Sequence, residues 1–136
     1  MRLFILCLMM MIIPACAFAD IEEFRYFSLD VPDGWTAKED GAVVTVTAND
    51  NTGSLSITTG NPESRDIGEL AKSFSAELNG TTPEKDDDGN YSFEFNNGVS
   101  QATITGDDDF FMLIIGTGFV NNAETLGKIL DSLEMK

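Results

Sequence analysis

The stretch 66–80, DIGELAKSFSAELNG, is where the hydrophobic period of the chain changes from two to about 3.6. Ile67, Leu70, Ala71, Phe74 and Leu78 fall on one helical face, and Asp66 with Glu69 three residues later makes a capping box. Gly80 is a natural stop, so the spacing predicts a helix over about 66–79. The segments on both sides read as strands. Upstream, FRYFSLDVP (24–32) puts Phe27, Leu29 and Val31 on one face and Ser28 and Asp30 on the other. AVVTVTA (42–48) and SLSITTG (54–60) are β-branched runs joined by the turn chemistry of NDNTG.

Downstream, TPEK, NYSFEF, VSQATIT and FFMLIIGT are four strand candidates. They are linked by Asp88-Gly89, by the strong hairpin dipeptide Asn97-Gly98, and by GDDD. The last strand, 110–117, is apolar on both faces and belongs near the centre of a sheet, beneath helices. Asn121 and Glu124 form a second capping box ahead of a helix over about 122–134, with Ala123, Leu126, Ile129, Leu130 and Leu133 facing inward. The order is three strands, a helix, a four-strand meander and a helix. It reads as α+β, an antiparallel sheet of about 6–7 strands flanked by two main helices.

The first nineteen residues, MRLFILCLMMMIIPACAFA, form a separate unit. Arg2 gives a positive start, Leu3 to Ile13 are unbroken apolar residues, and Ala17-Phe18-Ala19 has the small-x-small spacing of a cleavage site. Eleven apolar residues are too few to span a bilayer, which takes about 20. Residues 1–19 therefore read as a cleavable signal peptide and 20–136 as a single domain in the periplasm or outside the cell, cut between Ala19 and Asp20. In the alternative, IPAC (13–16) acts as a lipobox and Cys16 carries a lipid anchor. Cys7 and Cys16 both lie in the signal, so the expected mature chain holds neither thiol nor disulfide, and no membrane span.

Removing the signal leaves 7 basic residues against 23 acidic ones, a net charge of −16. Such a surface repels nucleic acid and anionic lipid and favours cations or basic partners. No histidine is present, and glycine-rich phosphate loops are missing. With both cysteines in the signal as well, the expected mature chain has no imidazole base, no thiolate nucleophile and no usual zinc or copper ligand set. Lys72, Ser73 and Ser75 lie off the apolar stripe of the first helix and read as solvated positions. The period-two aromatics Tyr91, Phe93 and Phe95 read as sheet core, with Tyr91 nearest solvent.

The one local feature that reads as a candidate site is acidic. Glu84-x-Asp86-x-Asp88-Gly89 begins like a calcium loop, but position 12 would be Phe95 and the flanks are strands, so an EF-hand is excluded. Asp87-Asp88-Gly89 instead fits a three-residue hairpin loop with a glycine bulge, and Glu39-Asp40-Gly41 has the same composition. In an up-down meander alternate turns share one end of the sheet. Asp86, Asp87 and Asp88 would then lie about 9–10 Å from Asp107, Asp108 and Asp109. Together they could present an acidic patch to a basic protein partner, hold a hard cation such as Ca2+, or simply splay into water.

FSLDVPDGW (27–35), a strand followed by Pro-x-Gly-Trp, resembles the opening motif of the PsbP-like superfamily. LGKILDSLEMK at the end is similar to the terminal helix of its small exported bacterial members. The resemblance covers essentially the whole chain after the signal and implies an α/β/α sandwich with Trp35 packed beneath the first turn. It also implies accessory proteins that contact a larger partner, as the photosystem II extrinsic subunit and a nuclear factor that binds a small GTPase do. The chain has no histidine for any histidine-based metal site of the superfamily. The expectation is a non-enzymatic interaction protein without a cofactor. The alternative is a Ca2+-responsive protein using the paired aspartate turns, and a carboxylate-based hydrolase ranks third.

Overall fold

The computed structural model describes residues 19–136. The apolar run, Pro14 and Cys16, with the signal and lipoprotein readings placed on them, lie outside the described residues.

The strand FMLIIGT organises the fold because both of its faces are apolar. As β9 (Phe111–Thr117) it lies at the centre of a seven-stranded antiparallel sheet of order β3-β4-β5-β9-β8-β7-β6. Its neighbours are β5 (Ser54–Gly60) and β8 (Ser100–Gly106). Beyond β5 lie β4 (Val43–Ala48) and the edge strand β3 (Trp35–Asp40). Beyond β8 lie β7 (Tyr91–Phe95) and the two-residue β6 (Glu84–Lys85). A second, three-stranded sheet has the order β1-β2-β10, from Ala19–Glu23, Phe27–Pro32 and Glu134–Met135.

Two helices cover opposite faces. Helix α1 (Ile67–Glu77) packs Leu70 and Ala71 on Phe93, Ala102, Ile104, Phe111 and Leu113. Helix α2 (Phe119–Asp131) brings Leu126 and Ile129 against Val44, Val46, Leu55, Ile57 and Met112, together with Phe27, Leu29 and Val31 of the small sheet. Odd-numbered residues of β9 thus feed one core and even-numbered residues the other, as the period of a strand requires. The cores are offset: α1 lies over β7–β8–β9, whereas α2 and the small sheet lie over β4–β5–β9. This is the sheet between helices that the apolar pattern implies.

The ends of the helices differ from expectation. Asp66 does cap α1, its Oδ1 accepting from Glu69 N at 2.7 Å. The left-handed residue that ends α1 is Asn79 (φ 55), not Gly80. Gly80 N then donates to Ser75 O at 2.8 Å, closing a Schellman motif. Ser75 is buried rather than solvated, and its Oγ donates to Thr81 O at 2.6 Å. Helix α2 begins at Phe119, with Gly118 at its cap and no side-chain capping bond, so Asn121 and Glu124 lie inside the helix. Here tertiary contact replaces the local cap: Asn122 Nδ2 donates to the Thr52 carbonyl at 3.1 Å and to its hydroxyl at 3.1 Å, tying α2 to the β4–β5 loop. In that loop the Thr52 hydroxyl and N–H hold the Asp50 carboxyl below its ordinary value.

The hairpins also differ in detail. The β3–β4 turn is a two-residue loop with Gly41 (φ 60) in first place, so it lacks the bulge geometry its composition implied. At Asn97-Gly98 the loop runs over four residues, and Asn96, Asn97 and Gly98 all have positive φ. Trp35 is half-buried at the start of β3 and packs against the core beneath α2.

Glycine tolerance separates packing from backbone geometry. Gly118 (φ 84) has its missing Cβ position overlapping the Thr52 carbonyl oxygen, whereas Gly89 (φ 87) has open space around it. Gly118→Ala should destabilise the fold by about 3 kcal/mol or more, through strain and a backbone clash together. Gly89→Ala should cost only the left-handed penalty of about 1–2 kcal/mol. Urea denaturation of the two variants measures the difference, and equal losses would contradict the assigned packing at Gly118.

Candidate acidic docking surface

The turns carrying the six aspartates lie at one end of the large sheet, because the β7–β8 hairpin between them turns back at the other end. In the first, Asp86 N donates to Asn90 O at 2.9 Å and Gly89 N to Asp86 O at 3.2 Å. Gly89 in the left-handed region completes the expected glycine-bulged loop. Asp86 Oδ1 accepts from the N–H groups of Asp88 and Asn90, both at 2.9 Å. The second turn repeats the device. Asp107 N donates to Phe110 O at 2.8 Å, and Asp107 Oδ1 accepts from Asp109 N at 2.9 Å and Phe110 N at 3.0 Å. Asp86 and Asp107 therefore satisfy backbone donors and fix the loops.

Asp87, Asp88, Asp108 and Asp109 have no such duty. All four are exposed, and among the described residues none of their carboxylates accepts a hydrogen bond or joins an ion pair. More acid collects at the same end. The sheet register brings the β3–β4 turn, with Glu39 and Asp40, beside the end of β5. The 61–66 segment leads from β5 to α1 and carries Glu63 and Asp66. It faces Asp108 and Asp109 across an open cleft of about 460 Å³, where Arg65 is the lining cation. Glu63 (φ 53) and Ser64 (φ 70) both take the left-handed conformation that non-glycine residues rarely adopt. Sequence reasoning missed this contribution, since it depends on β5 running beside β9, a long-range pairing that no local signal encodes.

The opposite end is different in character. It carries Asn49, Asn51, Asn79, Asn96 and Asn97, with Asp50 engaged by Thr52 and with Asp33, Glu77 and Glu94 as further carboxylates. The one ion pair among the described residues, Glu124–Lys128 at 3.2 Å, is exposed on α2. The sheet thus has one strongly acidic end and one less acidic, asparagine-rich end. Among the described residues no group of three or more carboxylates is placed to hold a metal ion. The acid forms an open rim rather than a cage, and its chemistry is that of long-range attraction for cations. The described residues also include no helix long and apolar enough to cross a membrane.

The arrangement of a large antiparallel sheet between α1 and α2 matches solved structures. The chain is similar to the solution structure of cyanobacterial PsbP (CyanoP) from Synechocystis sp. PCC 6803, with a TM-score of 0.59 and 14% identity, covering 88% of this chain and 94% of that one. It is also similar to a crystal structure from Bacteroides thetaiotaomicron VPI-5482, with a TM-score of 0.50 and 18% identity over 88% of this chain. There the chain spans about half of the other molecule's length, 48%. No family model matches the chain, and no curated protein matches it in sequence. The protein has a PsbP-like α+β fold, and at these identities the likeness concerns the fold alone.

The division of labour among the aspartates is testable. Asp86→Ala removes acceptors from two backbone N–H groups and should lower Tm by about 3 °C. Asp87→Ala removes only an unpaired like charge and should leave Tm unchanged or slightly raised at low salt. Thermal melts of both variants decide, and equal losses would mean that Asp86 does not hold the turn.

Proposed function

We propose that the protein is an exported accessory protein that acts, without catalysis, by docking the acidic end of its sheet on a basic surface of a larger partner. The observation that carries this reading is the set of four exposed aspartates, Asp87, Asp88, Asp108 and Asp109, which the turns do not use and which join no ion pair among the described residues, although Arg65 lines the cleft beside Asp108 and Asp109. Charges of one sign at one end of a small domain steer encounter with an oppositely charged partner and suppress the wrong ones. The accessory role also agrees with what the PsbP-like resemblance implies. An open rim suits a protein surface better than a bare cation, which needs several oxygens converging at about 2.3–2.6 Å.

Two measurements test the reading. Crosslinking in intact cells, comparing the wild type with D87N/D88N/D108N/D109N, should show the partner adduct reduced by about tenfold or more in the variant, which keeps Asp86 and Asp107 and hence both turns. An undiminished adduct would place docking elsewhere. Calcium should raise Tm no more than magnesium does at equal ionic strength, since screening depends on charge and not on a fitted site. A saturable rise specific to calcium would favour the cation-responsive alternative over the docking role.

A further inference from the structure

The offset of the two cores leaves part of the sheet uncovered beside the acidic rim. On the α2 face of β8, Thr103 and Thr105 are only half-buried, because α2 and the small sheet lie over β4, β5 and β9. The result is an open groove of about 440 Å³, within the range of about 300–1,000 Å³ that ligand sites occupy. Thr105, Met112 and Ile114 line it from the sheet, and Phe110, Leu133 and Met135 complete the lining. Its surface is almost wholly apolar. Met135 is 53% exposed, and Tyr26, whose ring lies 5.7 Å from that of Phe110 and carries the Arg25 guanidinium 5.5 Å from its centroid, is 39% exposed. Exposed apolar side chains of this size mark a surface that gains by being covered.

The groove also has a charged end. Gly106 and Phe110, which line it, are the residues on either side of Asp107, Asp108 and Asp109. A ligand lying on Met112 and Phe110 therefore reaches the aspartate turn as it leaves the groove. Against the three aspartates of this turn stands Arg25, over the Tyr26 ring that packs on Phe110, so the exit is acidic in balance and favours a basic occupant. A second copy of this chain, at net −15, would be repelled, and so would an anionic lipid surface.

We infer that the groove seats a peptide segment of the partner in which two apolar side chains are flanked by lysine or arginine. The apolar pair packs on Met112, Ile114 and Phe110, and the basic flank meets Asp108 and Asp109. This inference rests on the docking role proposed above and adds where the partner's apolar anchors go. Apolar anchors in a pocket supply most of the binding energy, while the charged rim sets rate and orientation.

The test selects binders from a random dodecapeptide display library on the exported chain and maps them by amide chemical shifts. The expected result is enrichment of sequences with paired apolar residues beside lysine or arginine, shifting Thr103, Thr105, Met112 and Ile114. Thr105→Trp, which fills the groove from a half-exposed strand position that favours aromatics, should weaken the selected peptides by about tenfold or more with the melt intact. Thr103→Trp serves the same purpose if the first variant folds poorly. D108N/D109N should weaken binding less and flatten its salt dependence. Selection of acidic or uncharged peptides, shifts confined elsewhere, or binding unaffected by a folded groove-filling variant would overturn the inference. So would a dimer that Thr105→Trp dissociates, since the occupant would then be a second copy. The cellular crosslink separates the two proposals. If it is lost in the four-aspartate variant but kept in Thr105→Trp, docking at the rim stands and the groove does not. If it persists in both, both fall.

Discussion

β9 must be covered on both faces at once, and the remaining architecture follows from that need. Phe111 and Leu113 point to one side of the strand, and Met112 and Ile114 to the other. A large antiparallel sheet ordinarily leaves one face to water, but a central strand of this composition cannot. Each face recruits its own helix, α1 through Leu70 and Ala71 and α2 through Leu126 and Ile129. At about 25 cal/mol per Å² of apolar area, burial of such side chains is the dominant favourable term, so neither helix is dispensable. The small sheet serves the same end. Phe27, Leu29 and Val31 widen the cover that α2 alone is too narrow to give.

The covers are diagonal, and that geometry creates the surfaces available for contact. Where α1 is absent, β4 and β5 present Thr45, Thr47, Ser56 and Thr58, side chains that are comfortable in water. Where α2 is absent, β8 presents Thr103 and Thr105, but the adjacent half-buried Ile114 and Phe110 are not polar. One uncovered half-face is thus a hydroxyl surface and the other an apolar trough. Both end at charged turns, the hydroxyl surface at Glu39–Asp40 and the trough at the β8–β9 connection, so only the trough sets an apolar surface beside acid.

Much of the layout was legible in the sequence. The Asp66 cap, the two-faced β9, the glycine-bulged turn at Gly89 and the meeting of the two aspartate turns at one end all rest on local chemistry or on simple meander topology. The misses share a cause. β3 reads WTAKED, an edge strand with little to bury, and β1 and β10 are short strands fixed by pairing with β2, so none has a period to detect. At the start of α2 the local signal was misleading. Asn121 and Glu124 have capping-box spacing, but Asn122 binding Thr52 and Gly118 against the β4–β5 loop set the boundary instead. Long-range contact overrode local preference there, as it did in gathering Glu63 and Asp66 to the acidic end.

The acidic end exceeds what folding asks of it. Each turn needs one aspartate as acceptor, and Asp86 and Asp107 fill that role. The others add repulsion between like charges, adjacent within each turn and about 10 Å apart between the turns, which salt screens only in part, so the cost is not zero. Neutral asparagine would serve the same loops, and the chain uses it freely at the other end of the sheet, at Asn96 and Asn97. Backbone geometry therefore does not explain the choice of aspartate at the 86–88 and 107–109 turns. The docking role proposed above would account for it, since it asks for charge where an apolar trough opens beside the turn. A solubilising role alone would be served by acid spread over the surface. Concentration at the rim next to Phe110 and Met112 matches a contact in which charge orients the partner and apolar burial holds it.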